Sequence, residues 1–334
     1  MRAPRSLSFA RSPSTRRLSF GRLSFGPPSF GPPWRSLRGV SVVALTLVSS
    51  LLPRAALAFC RTTTCERNCA PDRNGCATRG EYVFWPDACV TYAVQSLGSP
   101  LRGISAFDTD QAMRAAFAAW LGADCPGAGS PSIGVVPLGG ASCAEAEFNR
   151  PEAGRPLAAN ANLVIYRDDA WPYPDENFVI ARTSITFDPS SGVIFDADIE
   201  INSFGNEFSL SETMVSNDLQ SVLTHEVGHF LGLDHTRVPN ATMLADYELS
   251  NLGSRTLSAD DRAGMCSIYK PMIEGELVCP GSTGPHHGFS RECGSTEHAD
   301  ASCLSLAGAP PARGSPWLPW FGLGLLAWFR LRRR

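Results

Sequence analysis

The sequence is short of several things, and each shortage removes a class of protein. Lysine is nearly absent: Lys270 stands alone against 28 arginines. Acids are missing from residues 1–58, which hold nine arginines, and four more arginines lie in the last five residues. All 32 acids therefore share the middle of the chain with only 16 of the 29 bases. A segment that acidic does not displace phosphate counterions, so no nucleic-acid partner is expected. No apolar run reaches the ~20 residues of a comfortable membrane span. The two longest, 40–52 and 317–329, have 13 residues each. Histidine is scarce, with six in all and none before His225. Charged residues make up 18%, too few for a disordered polyelectrolyte, and the 43% hydrophobic content is enough for a core.

Cysteine, in contrast, is abundant. There are eleven, all at or after Cys60. Such density is usual in exported domains and unusual in a reducing cytosol. The odd number leaves at least one thiol free, paired to another chain, or removed by processing.

The ends read as address rather than fold. Residues 1–38 are low in complexity, with Leu-Ser-Phe recurring at 7–9, 18–20 and 23–25. Arg35 and Arg38 then precede the apolar run 40–52, and Ala56-Leu57-Ala58 fits a small-x-small cleavage site. That pattern predicts export, with cleavage after Ala58. At the other end a Pro/Gly-rich spacer, 307–316, leads to the apolar run 317–329 and an arginine cluster. This tail resembles the surface-sorting tails of Gram-negative bacteria, myxobacteria in particular, and implies attachment to an outer membrane or cell surface. The expected division is a leader and signal peptide at 1–58, a Cys-rich segment at 59–81 and a catalytic domain at 82–271. A Cys-containing linker at 272–316 and the tail at 317–334 follow.

Within the middle, Cys60, Cys65, Cys69, Cys76 and Cys89 read as disulfide staples of a loop-rich segment, with a metal knuckle or an inhibitory thiol as the alternatives. A first strand is expected at 91–95. Residues 109–122 carry Met113, Phe117, Trp120 and Leu121 at helical spacing, capped by Asp108 or Thr109. Short aliphatic runs at 133–138, 163–166, 179–187 and 193–202 read as strands, the last two joined by the turn 189–192. On the last of these, period two sets Asp196, Asp198, Glu200 and Asn202 on one face. That face is expected either to be solvated on a half-buried strand or to hold calcium through its oxygens.

The chemistry concentrates in one stretch. A helix capped by Ser216 or Asn217 is expected to run to about Leu231, with Leu219, Leu223, Val227, Phe230 and Leu231 facing the core. It carries His225-Glu226-Val227-Gly228-His229. Residues four apart share a helical face, so both imidazoles reach one metal ion, and Glu226 stands beside them to handle a water molecule. Gly232 permits a left-handed turn that ends the helix and brings back His235 as a third ligand.

At this point the sequence resembles the metzincin metallopeptidases, whose HExxHxxGxxH pattern is complete at His225, Glu226, His229, Gly232 and His235. Ala241-Thr242-Met243 matches their Met-turn, with Met243 as an apolar floor under the metal. Leu231-Gly232-Leu233-Asp234-His235, and Leu257-Ser258-Ala259-Asp260-Asp261 ahead of a helix to Tyr269, are most similar to the matrixin branch. The resemblance implies an α+β fold: a twisted, mostly parallel five-stranded sheet with an edge strand, two long helices and a C-terminal helix. It implies a secreted or surface-attached zinc endopeptidase acting on protein or peptide, in which Glu226 assists attack by a zinc-bound water. Substrate is expected to pair with the edge strand 179–187, and 236–258 to shape the pocket for the residue after the cut.

Departures from the family narrow this. No upstream histidine exists for the second, structural zinc of matrixins, so one zinc is expected. Ala245 stands where two other branches place a tyrosine ligand, and the propeptide cysteine motif is absent. His286, His287 and His298, among Cys279, Cys293 and Cys303, read as part of a disulfide-stabilised linker. The rivals to an endopeptidase are a catalytically silent adhesion module on the same fold and a metal-dependent hydrolase of non-peptide amides.

Overall fold

A computed structural model of the chain describes residues 5–11, 58–127, 129–143, 145–146, 161–174, 179–213, 216–247, 251–272 and 277–280. The apolar run 40–52, the spacer and tail from 307 onward, and His286, His287, His298, Cys293 and Cys303 lie outside the described residues.

Eleven strands are described in chain order: β1 (Arg5–Arg11), β2 (Cys60–Arg61), β3 (Cys89–Gln95), β4 (Gly134–Ala141), β5 (Leu163–Tyr166), β6 (Val179–Phe187), β7 (Ile194–Ile201), β8 (Phe208–Ser209), β9 (Asn217–Asp218), β10 (Leu233–Asp234) and β11 (Asp246–Tyr247). Three α-helices accompany them, α1 (Ala106–Leu121), α2 (Leu219–Phe230) and α3 (Ala259–Ile268). The five central strands run β4-β3-β5-β7-β6, parallel except for β6, which is antiparallel to β7. This is the expected five-stranded sheet. β1 adds to it: Arg5–Ala10 pair antiparallel with β6, and Ala10–Arg11 pair parallel with β11. The low-complexity N-terminal segment therefore contributes a strand, which its composition did not suggest. The strand 179–187 that was expected to be the free edge has a neighbour.

The predicted strands at 163–166 and 179–187 match in both bounds; the first helix starts earlier than expected. Its cap is Ser105, in a reciprocal capping box with Asp108, so Asp108 and Thr109 lie inside the first turn. The aspartate does the work usually given to glutamate or glutamine at that position. α2 is capped by Asp218, whose side chain accepts the Ser221 N–H, rather than by Ser216 or Asn217. Asp218 is also held by Arg255 at 2.7 and 2.8 Å, which fixes the cap.

α1 and α2 lie against one face of the sheet. Between them Tyr92 stacks on Phe117, and Phe117 meets Phe230 edge-on, with ring centroids 5.1 and 5.4 Å apart. Trp120 is fully buried and donates its indole N–H to the Thr224 carbonyl at 2.7 Å, and Trp85 does the same to Phe230 at 2.8 Å. Disulfides join Cys60 to Cys76, Cys65 to Cys69, Cys89 to Cys279 and Cys125 to Cys266, and Cys143 is also disulfide-bonded. The cysteines of the N-terminal segment are staples, and none of the five is a free inhibitory thiol.

The acidic face of β7 is a correction. Asp196, Asp198, Glu200 and Asn202 are all buried. Asp198 accepts the Leu163 N–H at 2.9 Å. Glu200 pairs with Arg167 at 2.6 Å and accepts the Tyr173 hydroxyl at 2.5 Å. Neighbouring strands and the stretch 167–173 cover that face, which a period-two reading of one strand does not reveal. The expectation of a solvated face therefore falls away. Among the described residues Asp196, Asp198 and Glu200 do not bring ligand atoms together; the three histidines do.

Candidate metal centre

Two consecutive turns of α2 place His225 and His229 on one face. Gly232 then adopts φ of +99°, and a Cβ there would lie 2.8 Å from the Val83 carbonyl, so glycine is required for both the angle and the space. β10 carries the chain away from this turn, paired antiparallel with β2. The Thr62 N–H donates to the Gly232 carbonyl at 2.9 Å, and its hydroxyl donates to Leu233 at 2.8 Å. The segment 60–62 thus fixes the reversal that presents His235.

The three imidazoles converge, with their ligand atoms all within 4.8 Å of one another. Nε2 of His235 lies 3.2 Å from Nε2 of His225 and 3.1 Å from Nε2 of His229. The opposite ring nitrogens define the tautomers. His225 Nδ1 lies 2.6 Å from the Thr242 carbonyl and His229 Nδ1 lies 2.9 Å from the Leu233 carbonyl. A carbonyl only accepts, so both Nδ1 atoms carry the proton and both Nε2 atoms offer a lone pair. Lone pairs facing one another at this distance repel unless a cation lies among them. Tetrahedral zinc with Zn–N of ~2.0–2.1 Å sets its nitrogens roughly 3.3 Å apart, close to the observed spacing. The donor set fits zinc.

Burial reinforces this. The His225 imidazole is held well below its ordinary range by burial first and by His235 second, against the opposing bond to Thr242, so it stays neutral as a ligand must. Glu226 is fully buried. Desolvation pushes its carboxyl up to about 8, with the Thr183 hydroxyl and Arg182 acting the other way. A dication at the histidines also favours the carboxylate. Among the described residues its Oε1 is buried without a protein partner, which suits a group whose partner is water or substrate.

The structure adds residues that the motif does not name. Met243 packs directly against Gly228: a Cβ at Gly228 would stand 2.2 Å from Met243 Sδ and 2.7 Å from the Trp120 ring. The glycine inside the histidine motif therefore makes room for the methionine. The Asp261 carboxylate accepts the N–H groups of Thr242, Met243 and Ser258 at 2.8, 3.1 and 2.8 Å, so α3 holds the turn that in turn holds His225. In the sequence Asp261 stood only within the Leu257–Asp261 stretch similar to the matrixin branch, with no role given to it; the Ser258-x-x-Asp261 spacing is the capping signal that could have found it. Nothing there pointed to Thr62 or Thr183.

The arrangement of His225, His229 and His235 around the Gly232 reversal, with Met243 packed against Gly228, is similar to that of a metzincin metal centre. Comparison with known proteins agrees. Residues 163–270 match the matrixin family, Peptidase_M10. Matrix metalloproteinase-C of Caenorhabditis elegans is 28% identical over 199 residues, 58% of this chain and 30% of that protein. Human neutrophil collagenase is 27% identical over 202 residues, 60% of this chain and 36% of the collagenase. Rabbit (Oryctolagus cuniculus) macrophage metalloelastase is 42% identical over 59 residues, 18% of this chain and 13% of the elastase. The matched region thus spans about a third of the length of the first two relatives. The chain carries a matrixin-like metzincin catalytic domain.

Proposed function

We propose that this chain is a secreted zinc-dependent endopeptidase with one catalytic zinc, held by His225, His229 and His235. The observation that carries the reading is the convergence of three Nε2 atoms, two of fixed tautomer, beside a buried glutamate whose Oε1 has no protein partner. Bound zinc supplies a Lewis acid for the scissile carbonyl and lowers the pKa of water. The chain's own groups do the rest. Glu226 takes a proton from the attacking water as the new C–O bond forms, and delivers it to the peptide nitrogen as the C–N bond breaks. The products are a carboxylate and an amine. The carbonyls of Thr242 and Leu233 hold the His225 and His229 imidazoles in place throughout.

An extended substrate runs antiparallel along β6, with the segment 236–258 shaping the pocket beyond the cut. Support comes from the chain itself: Arg5–Arg11 lie antiparallel on that edge, between β6 and β11. Residues 1–58 are a leader removed after Ala58 on export, and this cleavage detaches β1 and uncovers the edge. Among the described residues no helix is long and apolar enough to cross a membrane.

The test is hydrolysis of casein by the exported protein, with a zinc chelator abolishing it and added zinc restoring it. Failure of the chelator to inhibit would overturn the zinc reading. A peptide-library cleavage profile would then define which side chain enters the pocket.

A further inference from the structure

β6 turns alternate side chains toward α2. Ala181 and Ile185 are apolar and buried, and Thr183, midway between them on the same strand face, is also fully buried. The intervening Arg182 extends to the other side, its guanidinium 3.8 Å from the Tyr173 ring centroid. Thr183 thus brings a hydroxyl to an otherwise apolar face, opposite the buried glutamate of α2. Its Oγ1 lies 2.5 Å from Glu226 Oε2 and 3.2 Å from the Glu226 carbonyl. The other carboxylate oxygen, Oε1, has no partner among the described residues.

We propose that Thr183 is a positioning residue for the reaction: its hydroxyl holds Oε2 and thereby aims Oε1 at the attacking water. This rests on the reading of Glu226 as the base. A glutamate side chain has three rotatable bonds, and one strong tether removes most of that freedom. The tether is itself rigid. Threonine is branched at Cβ and stiff at χ1. Its backbone is held in the sheet opposite Ile199 of β7. Because the hydroxyl donates, it also favours the carboxylate as acceptor. The arrangement divides the two oxygens: one is anchored to the sheet and one is left for chemistry.

The test uses the exported protein, cleaved after Ala58, and three variants made in the same way. Thr183→Val keeps the shape and removes the hydroxyl, Thr183→Ser keeps the hydroxyl, and Thr183→Ala serves if valine does not fold. With zinc content measured on each sample, Thr183→Val should lower kcat for a peptide by about 10- to 100-fold, the worth of a hydrogen bond to a charged group, and leave KM within about twofold. Thr183→Ser should recover most of kcat. A purely structural role would lower thermal stability without changing kcat per zinc-loaded molecule. In parallel, the carboxyl carbon of Glu226, assigned by its loss in Glu226→Gln, is followed by carbon-13 NMR with and without zinc. It should move in Thr183→Val and return in Thr183→Ser. An unchanged kcat in the valine variant, an equal loss in the serine variant, or an unmoved carboxyl resonance overturns the proposal. If the wild-type chain hydrolyses no peptide, the reading of the site fails by itself, and the resonance still decides whether Thr183 holds Glu226.

Discussion

His225 Nδ1 donates to the carbonyl of Thr242 across 2.6 Å, although the two residues are seventeen apart in the chain. The bond ties the motif helix to the turn that carries Met243. That turn is tied in turn to α3, because Asp261 accepts the N–H groups of Thr242 and Met243. The metal centre is therefore one end of a chain of bonds running from α2 through the turn to α3. Four consequences of this and the neighbouring contacts can be measured.

Glu226 is beside a ligand without being one of the three that converge. Replacing it with alanine should leave zinc content and folding nearly intact and cost ~10²–10⁴ in kcat. His229→Ala is the contrast: zinc is lost with activity, and thermal stability falls by whatever metal binding contributed. Elemental analysis of both variants, alongside the wild-type expectation of one zinc per chain, separates the roles. Zinc lost in step with activity in Glu226→Ala would mean that the ligand set has been drawn wrongly.

Asp261 is buried and serves three backbone N–H groups. Alanine at this position leaves them without acceptors, and urea titration should record a loss of roughly 2–5 kcal/mol. Asparagine, with one carbonyl oxygen, should fall between. Zinc affinity should drop in the same order, because His225 is oriented by the turn that Asp261 holds. Stability lost with no change in zinc affinity would show that the turn does not orient the ligand.

Gly228→Ala sets two effects against each other. Alanine favours a helix over glycine by ~1 kcal/mol. Here the added methyl stands 2.2 Å from Met243 Sδ, and overpacking of a core costs typically ~1–3 kcal/mol. The clash should win, giving net destabilisation by thermal melting. Met243→Ala in the same chain should relieve part of it, a coupling that a double-mutant cycle reads directly.

β1 pairs with β6 along Arg5–Ala10. Prolines at Leu7 and Ser8 together should break that ladder, since one of two successive residues directs its N–H to the partner. Amide exchange across Val179–Ile185 should quicken, and peptide hydrolysis by the uncleaved chain should rise as the edge opens. Unchanged protection in β6 would show that β1 does not cover it.

Reading the chain alone was enough for the features that repeat locally. The four-residue spacing of His225 and His229 follows from the helical period, and the reversal at Gly232 follows from glycine's tolerance of positive φ. Strands 163–166 and 179–187 were legible from their aliphatic runs, and the Met-turn from its place after the motif. The caps at Ser105 and Asp218 were displaced by a few residues, because several neighbouring Ser, Asn and Asp side chains are equally competent until the backbone selects one. What only tertiary structure decided depends on residues far apart in the chain. Burial of the β7 acids came from neighbouring strands and the stretch 167–173, and the contact of Thr183 with Glu226 bridges 43 residues. The pairing of the low-complexity N-terminal segment with β6 joins residues from Ala10 and Val179 to Arg5 and Ile185, far apart in the chain. A local pattern states which face a side chain takes; which partner meets that face is decided by packing, which no single segment encodes.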